Sequence, residues 1–428
     1  MSTFSLRSLA LLGAAAVLAC SDAAPTGSSL TIPAEEPNLE FRGAAAPAMA
    51  LVGSKIFVDT DLSLRRNQSC ETCHDAAFGF SSPNLNENAH GAVLPGSVPT
   101  RFGNRRPPSA SYAAFSPVFG YNAEDDVFVG GNFWDGRATG ARLGSPIMEQ
   151  ALKPFLDLNE QALPDAACVM WRISRANYAP LYYATFGPAL RRIEWPAATP
   201  TLCQTEGSTV PLGPRQRQIV MAEFDNVGRA LGTFQASERV SPFNSRYDLW
   251  LRGKAQLTGL ELDGLRLYEG KAQCAACHPN AGKRALFTDF TYDNIGVPAN
   301  LENPALISRG FVDEGLGAIL GRRDLRGAQK VPSLRNTDKR PHPLAAKAFM
   351  HNGAFKTLEQ VVHFYNTRDV LPRCPVGVDH RDPRFGVTCW PAPEVDENVN
   401  VDELGNLGLT PREERAVVAY IRTLNDRN

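Results

Sequence analysis

Cysteine and histidine recur in one arrangement twice, as Cys70-Glu71-Thr72-Cys73-His74 and as Cys274-Ala275-Ala276-Cys277-His278. Two thiols one helical turn apart can add to the two vinyl groups of a porphyrin. The imidazole that follows then falls on the iron as proximal ligand, so this spacing is that of covalent c-type haem attachment. A chain of this composition should hold roughly 0.003 accidental copies of the pattern, so two are not an accident. The same residue types could hold zinc or form a thioredoxin-like dithiol. Zinc sites close locally, however, whereas these motifs lie about 200 residues apart, and the flanks lack a strand-helix-strand pattern. Two c-type haems are therefore expected, attached at Cys70, Cys73, Cys274 and Cys277, with His74 and His278 on the irons.

Helices must present these thiols. Thr258-Gly259-Leu260-Glu261 has the form of a capping box, and Leu260, Gly264, Leu267 and Tyr268 follow at helical spacing, so a helix should deliver Cys274. Ser54-Lys55-Ile56-Phe57 and Leu62-Ser63-Leu64 suggest a shorter, looser version ahead of Cys70. Val220, Phe224, Val227, Leu231 and Phe234 recur at steps of 4, 3, 4 and 3 residues, a helical core face that Ser241-Pro242-Phe243-Asn244-Ser245 breaks. Thr410-Pro411-Arg412-Glu413 caps a C-terminal helix whose face carries Val417, Tyr420, Ile421 and Leu424. No alternating strand series is visible, and 35 Gly and 32 Pro interrupt the pattern, as expected where chain wraps a large cofactor. The expected fold is mainly α: two cytochrome-c-like domains, residues 49–245 and 246–428, each with one covalently bound haem.

With 428 residues, 43% apolar and 21% charged, the chain should hold two or three packed units, which excludes disorder and collagen. Lys+Arg is 44 against 45 for Asp+Glu, so there is no general basic field for nucleic acid or an anionic membrane. Leu9 to Ala19, 11 apolar residues after Arg7, is too short to span a bilayer but fits a signal-peptide core, so residues 1–19 are read as an export signal. Val17-Leu18-Ala19-Cys20 looks like a bacterial lipobox, with Cys20 lipidated; an ordinary cleavage site with Cys20 incidental is the alternative. Residues 20–48 then form a flexible tether, and the protein is expected in the periplasm, held to a bacterial membrane only by its N-terminal lipid. In that oxidising compartment Cys168, Cys203, Cys374 and Cys389 should pair, most simply as Cys168–Cys203 and Cys374–Cys389.

Phe133-Trp134-Asp135-Gly136-Arg137, between the haem motifs, resembles a segment of the bacterial di-haem cytochrome c peroxidase family, which includes the MauG group. Further matches follow in order: Glu149-Gln150-Ala151 with Pro154 and Glu160, then Val331-Pro332-Ser333-Leu334-Arg335-Asn336, then Met350-His351-Asn352-Gly353 with Thr357-Leu358-Glu359. The resemblance implies two facing cytochrome-c-like domains, with a peroxide-reactive haem on His74 and an electron-transfer haem on His278. It places Trp134 between the haems as an electron relay, and Gln150 and Glu160 in the distal pocket. Peroxide must lose a proton from one oxygen and gain one on the other as its O–O bond breaks, which asks for a carboxyl group above the iron. Glu160 is the implied general acid and base.

Family peroxidases place a methionine ligand of the second haem 14 residues beyond the histidine of a His-x-Gly turn. Counting 14 from His351 gives Tyr365, as in the MauG group, and no methionine follows Met350. Phenolate is a hard anionic donor that favours ferric and higher-valent iron, so Tyr365 is expected to ligate the second iron and lower its potential. His90, 16 residues after His74, matches a histidine that in some family peroxidases occupies the resting distal site and leaves on reduction, which makes it a further expected iron ligand. The family's calcium takes an asparagine from an Arg-Asn-x-Pro segment. Here Arg106 stands at that position, and a guanidinium cannot ligate a cation, which speaks against calcium and suggests positive charge near the haem propionates. His351 reads as a structural or propionate contact, and His342, His363 and His380 as surface or loop residues.

Three functions fit these expectations. The first is reduction of hydrogen peroxide to water by electrons that a small donor protein, such as a cytochrome c or cupredoxin, passes through the second haem and Trp134. The second is a MauG-like oxidase of a partner protein, which Tyr365 favours. The third, a non-enzymatic di-haem electron carrier, leaves Gln150 and Glu160 without a purpose.

Overall fold

Each capping box predicted from sequence starts a helix. A computed structural model describes residues 45–427, so the signal peptide, Cys20 and nearly all of the tether lie outside the described residues. The longer helices that frame the motifs are α1 (Ala46–Phe57), α2 (Pro214–Ala236), α3 (Gly259–Glu269), α4 (Leu358–Thr367) and α5 (Pro411–Arg422). The Thr258 and Thr410 side chains accept the amides of Glu261 and Glu413, whose carboxylates reach back, at about 1 kcal/mol per cap. Among the described residues the regular structure is mostly helical, with few strands.

Two principal clusters of buried apolar side chains organise the molecule, one drawn from residues between Val52 and Val240, the other from residues between Tyr247 and Leu424. Their construction is parallel. In the first, α2 buries Val220, Phe224, Val227, Leu231 and Phe234 against α1, with the Phe57 and Phe234 rings 5.2 Å apart. In the second, α5 buries Val417, Tyr420 and Ile421 against α3, with Tyr268 and Tyr420 5.1 Å apart. Each such side chain contributes on the order of 1.5–3 kcal/mol when fully buried. Both crossings close on a glycine: a Cβ on Gly53 would lie 2.0 Å from the Ala230 carbonyl oxygen, and one on Gly264 would lie 2.0 Å from that of Ala416. In each case the helix that leads toward a CxxCH motif is locked to the helix that ends its cluster.

Two details differ from the sequence reading. Leu260, counted on the buried face of α3, is 39% exposed because it lies in the first turn, before the helix meets α5. Two short antiparallel pairs also occur: β1 (Gly120–Asn122) with β2 (Val127–Val129), and β3 (Tyr292–Asp293) with β4 (Gln329–Lys330). Strands of two and three residues are too short for alternation to show in sequence.

The two halves interlock through buried polar contacts: Tyr112 donates to Asp426 at 2.7 Å and Arg105 pairs with Asp313 at 2.6 Å. Within the second half, Asn336 also donates to Asp426 at 2.7 Å and Arg335 pairs with Asp248 through two contacts of 2.9 Å. Cys168–Cys203 and Cys374–Cys389 are the disulfides, as the spacing suggested. Among the described residues no helix is long and apolar enough to cross a membrane.

Candidate functional site

A single helical turn, Cys70–Cys73, carries the first thiol pair, and a capping box between Ser69 and Thr72 starts it. His74 closes the turn with Nδ1 3.0 Å from the Phe80 carbonyl oxygen. The second motif repeats this: Gln273, with φ at 52°, turns the chain into Cys274–Cys277, and His278 Nδ1 lies 2.9 Å from the Phe287 carbonyl oxygen. A proton held on Nδ1 leaves the Nε2 lone pair for a metal. Burial keeps both imidazoles neutral, His278 down to about 4. It also pushes the Cys70, Cys73 and Cys274 thiols up to about 12. Burial thus holds them as thiols rather than as the reactive thiolates of a redox dithiol. All four remain free cysteines beside two closed disulfides, and among the described residues no group of three or more His, Cys, Asp or Glu side chains is arranged to hold a metal ion.

Each motif opens onto a cavity large enough for a porphyrin, with empty volumes, open in part to solvent, of about 1040 Å³ at the first and about 1470 Å³ at the second. Around the first, the structure brings together Cys70, Cys73 and His74 with Gln150, Pro154 and Glu160. Gln150 ends the short helix Pro146–Gln150, and Pro154 lies in the next one, Lys153–Leu156. Burial, reinforced by Asp157, raises the Glu160 carboxyl to about 7, while Arg137 opposes the shift. Near neutral pH that carboxyl can both take and give a proton. The buried amide oxygens of Gln68 and Gln161, on the same cavity, have no hydrogen-bond partner.

Tyr365 projects from α4 into the second cavity, which His278 also lines. Its hydroxyl bonds to no other described residue, and burial raises its pKa far above the ordinary phenol value.

Trp134 and Arg106 line both cavities, so they form the wall between them. The buried indole donates from Nε1 to the Arg106 carbonyl oxygen at 2.9 Å, and the His351 ring stands edge-on 6.4 Å away. His351 Nε2 lies 3.4 Å from Glu394 without hydrogen-bonding alignment. Lys330, on β4, donates its backbone amide to the Trp134 carbonyl oxygen at 2.8 Å and faces the second cavity.

Arg106, which the sequence placed near the propionates, is joined by Lys330, a residue the sequence did not single out. Neither has a carboxylate partner among the described residues, and burial alone lowers Arg106 to about 10 and Lys330 to about 7. The Lys330 ammonium is instead held by neutral oxygens, those of Ser116, Gly131 and Asn132, and the Arg106 guanidinium donates to the Met350 carbonyl oxygen at 2.9 Å, so both bring positive charge to the cavity walls with no carboxylate to balance it. The propionate groups of haems held by His74 and His278 would supply that negative charge, so thiols, neutral imidazoles, cavities and wall cations all fit the group. Lys330 carried no signal in sequence, where a lysine is ordinarily a solvated side chain.

His90 is the exception. It was expected over the first iron, but the structure does not bring it to the His74 cavity. Its side chain is 51% exposed, with Nδ1 3.2 Å from Glu302, a carboxylate that His380 and Arg381 also contact. The helix Leu85–Ala89 ends with His90 turned outward, where its ring meets the Glu302 carboxylate from the other half of the chain.

A family model described as di-haem cytochrome c peroxidase matches residues 47–256. The methylamine utilization protein MauG of Paracoccus denitrificans is 33% identical over 394 residues, 90% of each chain. Cytochrome-c peroxidase IdrP2 of Denitromonas iodatirespirans is 26% identical, covering 74% of this chain and 73% of that one. Among solved structures, the diheme peroxidase BthA from Burkholderia thailandensis superposes with a TM-score of 0.67 at 28% identity, covering 89% of this chain and 86% of the other. A geometry built around two CxxCH turns thus coincides with likeness along nearly the whole chain, and the protein belongs to the di-haem cytochrome c peroxidase and MauG family of oxidoreductases.

Proposed function

We propose that the protein is an exported, peroxide-dependent di-haem oxidoreductase that reduces hydrogen peroxide to water with two electrons from a small donor protein. The observation that carries this reading is Glu160: a carboxyl raised to about 7 on the cavity that His74 lines. The two haems, when bound, supply the one-electron redox centres.

The chain's own residues do the rest. Cys70 and Cys73 would hold the first haem and Cys274 and Cys277 the second, with His74 and His278 as iron ligands. Glu160 accepts a proton from one peroxide oxygen and returns it to the other as the O–O bond breaks, a role worth about 10²–10⁴ in rate. The Gln150 amide orients the peroxide, and Arg137 keeps the carboxylate form of Glu160 within reach. Trp134, fixed by its hydrogen bond to Arg106, relays electrons between the cavities. Tyr365, which lines the same cavity as His278, would hold the second iron, and Arg106 and Lys330 would balance propionate charge. The division of the chain at residues 245 and 246, periplasmic location and a lipid on Cys20 complete this reading.

A second reading, oxidation of a partner protein in the manner of the MauG group, is supported by Tyr365 sharing the second cavity with His278. Visible and EPR spectra before and after peroxide, with turnover assayed on reduced cytochrome c, separate the two. Steady cytochrome oxidation supports the first, and a long-lived oxidised protein with negligible cytochrome turnover supports the second. Absence of any high-spin ferric signal would leave only an electron carrier.

A further inference from the structure

Behind the second cavity stands a file of oxidisable rings that the reading above does not use. The Tyr268 hydroxyl donates to the carbonyl oxygen of His278. Ring centroids then run 5.1 Å from Tyr268 to Tyr420, 5.7 Å from Tyr420 to Tyr247 and 5.7 Å from Tyr247 to Trp250. Tyr268 and Tyr420 are 0% exposed and Tyr247 is 3% exposed, whereas Trp250 is only half-buried and lies next to the exposed Leu251. The file is therefore continuous from the backbone of an expected iron ligand to solvent. Packing alone would accept any aromatic residue. Here every member is a tyrosine or a tryptophan, the two aromatic side chains that give up an electron most readily, and Phe287 stands beside the file rather than within it.

We infer that Tyr268, Tyr420, Tyr247 and Trp250 form an electron path between the second haem site and the surface, with Trp250 as the point where a reduced one-electron donor protein delivers its charge. This inference rests on the peroxide-dependent reading above. In each transfer one electron moves inward by one ring, so each ring is oxidised as the next is reduced. While a tyrosine is short of an electron its phenol proton shifts to a neighbouring oxygen: from Tyr268 along its hydrogen bond to the His278 carbonyl, from Tyr247 along its hydrogen bond to the Asn280 carbonyl at 3.4 Å, and from Tyr420 toward the adjacent Tyr247 hydroxyl. The proton returns when the electron arrives. Two electrons from two ferrous cytochromes, with two protons from water, complete the conversion of one hydrogen peroxide to two waters. Without a donor, Trp250 is left one electron short and loses its indole proton to solvent.

The test treats the haem-loaded protein with a few equivalents of hydrogen peroxide and no donor, follows peroxide loss, and maps oxidised residues by mass spectrometry with a radical trap present. Trp195, half-buried in the first cluster, is the internal control. The expected result is trapping or oxygenation at Trp250 well above Trp195, falling to the Trp195 level in Tyr420→Phe, which keeps the packing but is harder to oxidise. Peroxide loss with Trp250 unmodified, or modified equally in Tyr420→Phe, overturns the path and leaves the proposed function standing. If peroxide is not consumed, the function falls and the path falls with it.

Discussion

The Trp134 indole donates to the backbone carbonyl of Arg106 at 2.9 Å, while the guanidinium of that same arginine lies 5.5 Å from the indole ring. One residue thus fixes the ring between the two cavities and sets a positive charge against its face. A buried cation favours the electron-rich state of any redox group nearby.

Replacing Arg106 by Met removes that charge and leaves the backbone hydrogen bond in place. Both haem potentials should fall, by about 1–2 kcal/mol or on the order of 50–100 mV. Spectroelectrochemical titration measures this, and Lys330→Met should act in the same direction, most strongly at the second haem.

For Glu160, the folded carboxyl is raised to about 7, so the proton-accepting form fills as pH rises through that value. The rate of the peroxide step should climb between roughly pH 6 and 8, and Glu160→Gln should lower it about 10²–10⁴-fold and flatten the profile. Because the folded protein holds this proton more tightly than the unfolded chain does, the haem-free protein should lose stability as pH rises from the ordinary carboxyl range to 7, with no further change above. Stopped-flow kinetics with peroxide, beside denaturation at several pH values, read both effects.

Tyr365→Met exchanges a hard anionic donor for a soft neutral one and should raise the second haem's potential. The readout is a potentiometric titration of the reduced-haem absorbance. An unchanged potential would remove Tyr365 from the iron.

Gly264→Ala adds about 1 kcal/mol of helix propensity but places a methyl group 2.0 Å from the Ala416 carbonyl oxygen, so α3 and α5 must separate. A net loss of about 1–3 kcal/mol is expected, as is typical of overpacking. Gly53→Ala should behave alike at the α1 and α2 crossing. Denaturant titration followed by tryptophan fluorescence measures both.

His90→Gln should leave the resting ferric spectrum unchanged, since the imidazole pairs with Glu302 on the surface. A gain of high-spin signal in that variant would instead place His90 on the first iron.

What could be read from sequence alone is what a few neighbouring residues encode. Cys70 through His74 and Cys274 through His278 each lie within little more than one helical turn, so their order already carries their geometry. The Thr258 and Thr410 capping boxes, the face of α2 and the two short-range disulfides were legible for the same reason. The roles of Trp134, Gln150, Glu160 and Tyr365 came from likeness to a family, because a lone Glu or Tyr in a sequence is ordinarily a surface or packing residue.

The tertiary structure decided the rest. It set Arg106 and Lys330, 224 positions apart, on one wall without counter-ions, lined up Tyr268, Tyr420, Tyr247 and Trp250 from three separate segments, and turned His90 away to Glu302. Such convergence depends on how helices cross and which charges find partners over the whole chain. Local propensity carries no record of it, since it acts only across a turn or two of backbone.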